Sequence, residues 1–594
     1  MDETEKSAHR AWVRALEMTA TISRHPLTTL PVLIETMADK FETAPALISD
    51  QQTLSYRALA EQSNRYALWA LGQKLAFGDV VCLLMQNSPD YLAIWLGITK
   101  VGGTVSLINT HLVGSSLAHC IKTVGPKHII AGAELAERLM PIHQQLPSAI
   151  KLWIHGGNAE GFCRIDHETG QCDGKRLMTS EYRSPTLADR ALYIYTSGTT
   201  GLPKAASVSH FRLMQWSHWF AGMLDTRSDD TMYDCLPMYH SVGGVVAIGC
   251  VLVNGGSVVL RNEFSARRFW DDIVQGNCTM FQYIGELCRY LVNSPPHPHE
   301  IDHSLRLCCG NGLSAGVWDK FKQRFHIPRI VEFYAATEGT FSLYNCEGKP
   351  GAVGRVPPYL AHRFPMALVK SDTDTGVPKR DENGLCLRCS PDEIGEAIGK
   401  IVDNGSSAAG QFEGYSDQVA SEQKLLRNVF VKGDVWFRTG DLMRRDKHGY
   451  FYFVDRIGDT FRWKGENVST TELADIICEC PGVTRATVYG VTIPGTEGRA
   501  GMVTVLVNNG FDLAAFHRHL VERLPVYARP LFLQVGNHLH VTATFKSQKQ
   551  KLSHQGYDPS ATTEPIYFND PSRKAFVRID SELYQRILAG QVRV

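Results

Sequence analysis

The chain has 594 residues, which is long enough for more than one domain. Its 61 basic and 61 acidic residues cancel, so there is no overall electrostatic attraction to nucleic acid. With 44% hydrophobic and 21% charged residues, the composition excludes a largely disordered chain. The N-terminus lacks the basic start and apolar run of a secretory signal, and the 15 cysteines are thinly scattered. We therefore expect a cytoplasmic protein with reduced thiols.

Apolar residues recur at helical spacing near the N-terminus. Residues 8–23 place Trp12, Ala15, Thr19 and Ile22 on one side of a helix. Such a helix either packs on its own domain or lies on a membrane surface, and we favour packing.

Strands and helices alternate through the first half of the chain. The patterns predict a helix from Ser55 to about Leu71, a strand over Asp79–Met85, a helix over Asp90–Val101, strands over Gly103–Ile108, Lys127–Ala131 and Ala191–Ile194, and a helix over Phe211–Met223. This alternation implies a mostly parallel sheet with helices on both faces. Residues 155–188 are polar and weakly periodic, which predicts a loop region.

The pattern changes in the second half. Residues 340–425 are rich in glycine and aspartate, which predicts a smaller β-rich subdomain. After Val454 a compact α+β unit of about 130 residues follows, a normal domain size. Its predicted elements are a helix over Val468–Cys478, strands over Arg485–Val491 and Met502–Val507, a helix over Leu513–Leu524 and a strand over Leu531–Val535. The sequence therefore predicts an α/β protein with a large multi-sheet N-terminal domain and a smaller α+β C-terminal domain.

The densest chemical signal follows the predicted strand Ala191–Ile194. It is the run Tyr195, Thr196, Ser197, Gly198, Thr199, Thr200, Gly201, Leu202, Pro203 and Lys204. Glycines let backbone N–H groups approach an anion, hydroxyls donate further hydrogen bonds, and the lysine adds positive charge. The run differs from a Walker A loop, in which the lysine directly follows the second glycine. It predicts a polyphosphate-binding loop, with an ordinary glycine-rich turn as the alternative.

This run resembles the phosphate-binding signature of the adenylate-forming acyl-CoA synthetases. Further segments match that family in order: Phe333–Gly339, Arg438–Asp441, Asp455–Asp459, Trp463–Asn467 and Thr544–Lys549. The chain is identified as a member of this AMP-binding superfamily. Other segments resemble its fatty acid transport protein and very-long-chain acyl-CoA synthetase branch: Phe281–Tyr290, Cys309–Leu313 and Asp459–Val468.

The resemblance implies two domains and a bound nucleotide. Residues 1–455 would form the adenylation domain and residues 456–594 a mobile C-terminal domain, with a hinge near 455–458. ATP and coenzyme A would be co-substrates, with Mg²⁺ as cofactor. The implied nucleotide and CoA contacts are Tyr195, Thr196, Ser197, Gly198, Thr199, Thr200, Gly201, Lys204, Gly310, Asn311, Gly312, Tyr334, Thr337, Asp441, Arg456 and Gly465.

Several implied roles are specific. Thr337 would contact the α-phosphate, and Glu338 would hold Mg²⁺, because a carboxylate suits a hard cation. Asp441 and Arg456 would bind the ribose. Gly465 would line the pantetheine tunnel, where a Cβ would block a narrow channel.

The implied catalytic residues are Lys546, Glu338, Thr196 and His240. Lys549 and Lys551 are nearby alternatives to Lys546.

The acyl site is less well specified. The segment Leu236–His240 resembles the motif that borders it, with a structural histidine as the alternative for His240. Gly243 and Gly244 follow, and they either leave room for a long or wide acyl group or serve backbone packing. A fatty chain and a steroid side chain therefore both remain open.

The resemblance thus implies an ATP-dependent, AMP-forming synthetase that converts a long-chain or very-long-chain fatty acid to its CoA thioester through an acyl-adenylate. The alternatives are a bile acid or steroid side-chain CoA ligase and a lipid uptake protein without catalysis. The expected partners are a small carboxylic acid, ATP and CoA, with no nucleic acid. Peripheral contact with a membrane is a further expectation for this cytoplasmic protein.

Overall fold

The computed structural model describes residues 3–196, 202–372, 376–402, 412–464, 466–496, 498–536 and 549–592. The chain divides into two compact units. The first comprises Met1–Phe364 and Gly399–Leu425, and the second comprises Pro365–Ile398 and Leu426–Val594. The predicted boundary near 455–458 lies within the second unit and stays a prediction. No helix among the described residues is both long enough and apolar enough to cross a membrane.

The first unit contains a sheet of eight described strands. Their order is Ser342–Asn345, Ile330–Ala335, Leu307–Asn311, Met280–Ile284, Thr231–Asp234, Ser257–Leu260, Pro45–Ile48 and Thr53–Ser55. The two edge strands are antiparallel to their neighbours, and the other pairs are parallel.

A second sheet of the first unit has seven described strands. Their order is Cys163–Arg164, Lys151–His155, His128–Gly132, Val80–Leu84, Thr104–Leu107, Arg190–Thr196 and Lys204–Ser209. Lys204–Ser209 is antiparallel to its neighbour, whereas the other pairs are parallel. The prediction of a loop over 155–188 is wrong in part, because this stretch holds the edge strand Cys163–Arg164 and the helix Ile165–Gly170.

Helices surround these two sheets. The α-helices are Glu3–Thr19, Leu30–Phe41, Tyr56–Gly72, Pro89–Lys100, Gly114–Val124, Ile165–Gly170, His210–Leu224, Ala247–Leu252, Phe269–Gln275, Gly285–Asn293, Ala315–Arg324 and Gln418–Glu422. Short 3-10 turns occur at Ile22–Arg24, Ala133–Arg138, Met140–Gln145 and Pro358–Leu360. Side-chain caps fix some helix starts: Ser55 accepts a hydrogen bond from the Ala58 amide, and Ser88 accepts one from the Tyr91 amide.

The N-terminal helix packs on its own unit. The Trp12 side chain is buried, and its ring makes edge-on contacts with the rings of Trp219, Tyr344 and Phe364. This contact confirms the packing interpretation, because the apolar face of the helix is covered by protein.

The second unit begins with a five-stranded sheet. It comprises Met366–Val369, Gly395–Lys400, Val435–Arg445, Leu425–Arg427 and Phe451–Arg456. Residues 340–425 therefore do not form the separate subdomain that the composition predicts. Strand Ser342–Asn345 joins the eight-stranded sheet, while Tyr415 forms a bridge with Ala206 in the first unit.

The C-terminal part of the second unit is a compact α+β structure, as predicted. Its sheet comprises Val483–Val491, Ala500–Val507, Phe532–Gly536, Ile566–Asp570 and Ala575–Arg578. A hairpin of Phe461–Trp463 and Glu466–Val468 precedes it. The remaining elements are helices Thr470–Cys478, Leu513–Arg523, Lys549–Gln555 and Ser581–Leu588 and the 3-10 turn Val526–Ala528.

Candidate active site

Predicted site residues of the first unit follow the carboxyl ends of parallel strands in one sheet. These segments are 235–240 after Thr231–Asp234, 312–313 after Leu307–Asn311, and 336–338 after Ile330–Ala335. In open α/β sheets, ligands bind in the crevice outside these ends. The topology therefore brings the acyl-site motif and the predicted nucleotide segments to one edge.

The predicted polyphosphate loop joins two antiparallel strands, with Thr196 opposite Lys204. The Tyr195 side chain belongs to the buried core, and its hydroxyl donates a hydrogen bond to the Cys120 carbonyl at 2.6 Å. Thr196 points to the opposite face, because strand side chains alternate. Thr196 and Lys204 therefore supply the side chains at the base of the loop, whereas Tyr195 has a core side chain.

Glu338 lies in a buried hydrogen-bonded cluster. Its Oε1 accepts a hydrogen bond from the Tyr415 hydroxyl, which also interacts with Thr196. The Lys204 ammonium lies 5.8 Å from the centre of the Tyr415 ring. Burial, followed by the negative charge of Glu338, raises the pKa of Tyr415, so its hydroxyl stays protonated at neutral pH. Tyr415 thus connects the base of the predicted phosphate loop to the predicted metal ligand.

An arginine from a neighbouring helix positions the segment around Thr337. Arg212 donates a hydrogen bond from Nη1 to the Thr337 carbonyl at 2.6 Å, and its Nε lies 3.2 Å from Glu413 Oε1. The hydroxyls of Thr337 and Ser241 are 3.3 Å apart. This contact brings the Thr337 segment next to the residue that follows His240.

The sequence interpretation missed Tyr415, Arg212 and Glu413. Arg212 did carry a signal, because the sequence has a charged residue among the apolar residues of a predicted helix. In the structure it is 5% exposed. Tyr415 carried none, since it is 77 residues from its partner Glu338.

A buried carboxyl group supports the turn at Gly312. Glu332 is fully buried, and its Oε1 accepts a hydrogen bond from the Leu313 amide at 3.0 Å. The Tyr283 hydroxyl donates a hydrogen bond to Glu332 Oε2 at 2.5 Å. Burial raises the pKa of Glu332 to about 8, against the lowering effect of these donors. Gly312 has a φ of +77°, and a Cβ at Gly310 would lie 2.2 Å from the Tyr283 carbonyl oxygen.

Among the described residues, the buried Oδ1 of Asn311 has no hydrogen-bond partner. A buried unpaired amide oxygen can accept a hydrogen bond from a ligand.

The segment after His240 is a turn of π-helix, Val242–Val246. The His240 carbonyl accepts a hydrogen bond from the Gly244 amide at 2.7 Å, and its ring contacts Tyr239. A Cβ at Gly244 would lie 1.9 Å from the Met238 carbonyl oxygen. A Cβ at Gly243 would likewise lie 2.7 Å from the Pro237 carbonyl oxygen, so these close contacts favour the backbone-packing interpretation of both glycines.

The predicted ribose-binding residues meet in the second unit. Asp441 and Arg456 are opposite each other on paired strands, and Arg456 Nε lies 3.3 Å from Asp441 Oδ1. Thr439 accepts a hydrogen bond from the Asp441 amide, while Gly440 has a φ of +78°. This point of the strand Val435–Arg445 therefore needs glycine, and the next residue presents a carboxylate beside a guanidinium.

Some predicted site residues lie outside the described residues. They are Ser197, Gly198, Thr199, Thr200, Gly201, Gly465 and Lys546. Tyr334 is described at the end of strand Ile330–Ala335, where its ring contacts Phe341 edge-on.

The sequence of the chain is similar to those of known proteins. The AMP-binding enzyme family matches residues 34–388. The chain belongs to this family. This AMP-binding enzyme is 38% identical to long-chain fatty acid transport protein 1 of Mus musculus over 95% of its own length and 88% of that protein. It is also 38% identical to long-chain fatty acid transport protein 2 of Rattus norvegicus, over 95% of its own length and 91% of that protein.

Solved structures have the same fold as the AMP-binding enzyme. An anthranilate CoA ligase in complex with anthranoyl-AMP has a TM-score of 0.76 at 21% identity, with 89% of this chain and 98% of that chain covered. A Mycobacterium tuberculosis fatty acyl CoA synthetase has a TM-score of 0.62 at 21% identity, with the same two coverages. The predicted family, fold class and enzyme class are confirmed.

Proposed function

We propose that the chain is an ATP-dependent, AMP-forming acyl-CoA synthetase that acts on long-chain fatty acids. The observation that carries this proposal is the buried contact of Tyr415 with both Thr196 and Glu338. Through Tyr415, the Glu338 carboxylate is connected to Thr196 at the base of the hydroxyl- and glycine-rich loop. Glu338 lies just beyond the carboxyl end of a parallel strand, where ligands bind in open α/β sheets. The names of the relatives support a long-chain fatty acid as the substrate.

The residues at this edge fit a magnesium ion. Glu338 supplies a carboxylate, and the nearby hydroxyls of Thr196 and Thr337 supply further hard oxygen donors of the kind that Mg²⁺ prefers. We assign Glu338 as the protein ligand. When bound, the ion neutralises charge on the phosphates of ATP.

The other side chains that the resemblance assigns to the nucleotide bind and orient it. Lys204 and the loop over 197–201 hold the β- and γ-phosphates, while Thr337 contacts the α-phosphate. The Asp441 carboxylate accepts hydrogen bonds from the ribose hydroxyls, with Arg456 beside it. Attack of a carboxylate on the α-phosphate brings two anions together, so positive charge must stabilise the transition state.

We assign this catalytic charge to Lys546. One alternative, Lys549, already lies 3.2 Å from Asp459 Oδ2 and 3.8 Å from Asp455 Oδ1. The other, Lys551, is exposed on the same short helix. These observations support Lys546, whose place on the mobile C-terminal domain follows from the resemblance.

The second half-reaction needs a different arrangement of the same chain. The CoA thiol must reach the carbonyl of the acyl-adenylate, and AMP then leaves. Rotation of residues 456–594 about the hinge near 455–458 would remove Lys546 and bring Gly465 to the tunnel. Gly458, with a φ of +92°, supports a pivot there, because glycine adopts such angles without strain.

The acyl group is a fatty chain in this proposal. The small residues Gly243 and Gly244 would suit a wide steroid, but backbone packing uses the space beside them. A bile acid is therefore the second candidate substrate. Long-chain fatty acids partition into membranes, so in this proposal the enzyme is cytoplasmic and contacts a membrane peripherally to obtain its substrate.

Carboxylate-dependent release of pyrophosphate tests the proposal. We expect release from ATP and Mg²⁺ with saturated fatty acids of 16 or more carbons, and thioester formation once CoA is added. Cholate should give a smaller kcat/KM. Lys546→Ala should abolish adenylate formation but leave thioester formation from supplied acyl-adenylate largely intact.

Lys551→Ala is the matched control and should retain both half-reactions. Absence of pyrophosphate release with every fatty and steroid acid would contradict the proposed function. Equal loss of both half-reactions in Lys546→Ala would contradict the role of Lys546.

A further inference from the structure

A buried polar cluster spans the predicted hinge. Asp455 has a 1% exposed side chain, and its Oδ2 accepts hydrogen bonds from the amide of Thr470 at 2.7 Å and from its hydroxyl at 2.8 Å. Lys549 donates a hydrogen bond to the Thr470 hydroxyl and lies between the carboxylates of Asp455 and Asp459. Gly458 separates Asp455 from the other three residues along the chain.

These contacts tie elements on both sides of Gly458 together. Asp455 belongs to strand Phe451–Arg456, while Thr470 is the first residue of helix Thr470–Cys478. The Ser469 hydroxyl also donates a hydrogen bond to the Val454 carbonyl at 2.9 Å. A rotation about Gly458 must therefore break the bonds between Asp455 and Thr470, whereas Lys549 and Asp459 lie on the same side.

The positive charge of Lys549 balances negative charge on the carboxylates of Asp455 and Asp459. Without its ammonium group, the nearly buried Asp455 carboxylate would have hydrogen-bond donors but no cation among the contacts described for it. A buried carboxylate that loses its cation is destabilised more than an exposed one. The arrangement seen here therefore depends on Lys549 more than a rotated arrangement would.

We propose that Lys549 is a positioning residue for adenylate formation. By contacting both Asp455 and Thr470, Lys549 holds the two sides of the predicted hinge together, and we call this set of contacts the latch. The inference rests on the proposed function. Lys546 precedes Lys549 by three residues, and three residues span about 11 Å at most. Because the chain joins the two lysines, holding Lys549 at Asp455 limits how far Lys546 can lie from this cluster.

The two half-reactions measured separately test this latch in the full-length enzyme. Lys549→Met should lower the rate of adenylate formation about fivefold or more relative to thioester formation from supplied acyl-adenylate. Lys549→Arg should recover most of the wild-type ratio, because it keeps the charge. Lys551→Met, an exposed position on the same helix, should leave the ratio unchanged.

Hydrogen exchange of the segment 468–473 gives a readout that does not depend on activity. The Thr470 amide donates to Asp455, so exchange should be faster in Lys549→Met than in wild type and Lys551→Met. Unchanged exchange, or an equal fall in both half-reactions, would overturn the latch. If the wild-type enzyme had neither half-reaction, the proposed function and the catalytic part of the inference would be overturned. Faster exchange in Lys549→Met would in that case still support the contact between Lys549 and the Asp455–Thr470 pair.

Discussion

The Tyr415 hydroxyl lies at the centre of the cluster in the first unit, where it donates to the Glu338 carboxylate and interacts with Thr196. Tyr415→Phe keeps the ring but removes this donor. A buried acceptor left without a donor costs about 1–3 kcal/mol of the free energy of unfolding. We also expect Glu338 to bind Mg²⁺ less well, so that pyrophosphate release needs a higher Mg²⁺ concentration. Urea unfolding and a Mg²⁺ titration of pyrophosphate release measure the two effects.

Tyr359→Phe is a suitable control for that substitution, because Tyr359 is 47% exposed. It should change neither stability nor the Mg²⁺ dependence. An unaltered Mg²⁺ dependence in Tyr415→Phe would show that Tyr415 has no part in positioning Glu338.

The sequence singles out candidate site residues where their chemistry is carried by neighbours along the chain. Thr337 and Glu338 stand in one short motif, and Asp441 stands in another. Tyr415 could not be found this way, because its role depends on two partners that the fold brings from distant parts of the chain. For Tyr195 the sequence could not distinguish the two faces of a strand end, and its side chain proves to be part of the core.

At the scale of elements, the turn of π-helix after His240 depends on close backbone packing. Gly244→Ala would place a Cβ 1.9 Å from the Met238 carbonyl oxygen, a backbone atom that cannot rotate away. We expect a loss of about 1–3 kcal/mol in the free energy of unfolding, typical of overpacking. Urea denaturation monitored by circular dichroism measures it.

Gly72→Ala provides the matched control, because a Cβ at this helix end meets no described heavy atom within 4 Å. Alanine there should be neutral or stabilising by up to about 1 kcal/mol. If Gly244→Ala were as stable as wild type but rejected long acids, the glycine would provide room for the acyl chain instead.

Elements with strong local signals were predictable. The helix Tyr56–Gly72 has a serine cap and a regular apolar face, and the central strands are continuous apolar runs. The helix Ile165–Gly170 was not predictable, because its six residues are mostly polar and two of them are buried only by tertiary contacts. The sheet partners of residues 340–425 depend on long-range pairing, which local composition does not encode.

At the scale of the whole molecule, the C-terminal part has a hydrophobic core of its own. Every described member of this cluster lies between Phe461 and Ile587, and it includes the fully buried Phe516, Leu520 and Phe532. The predicted domain of residues 456–594 would thus keep this core intact. The sequence indicated such a unit from its change of pattern, but not which side chains would fill the core.

The fragment 456–594 should therefore fold without the rest of the chain. We expect a single cooperative thermal transition by circular dichroism and amide protons protected from exchange, because its core needs no residue before 461. The cut breaks the bonds that Val454 and Asp455 make to Ser469, Thr470 and Lys549. It also removes the contact of Arg456 with Asp441 and the hydrogen bond from the Ile457 amide to the Gly440 carbonyl. Phe516→Ala in the same fragment should lower its stability by about 3–5 kcal/mol, as expected for a large buried side chain. A fragment without a cooperative transition would place the domain boundary earlier in the chain, towards Leu426, where the second compact unit resumes.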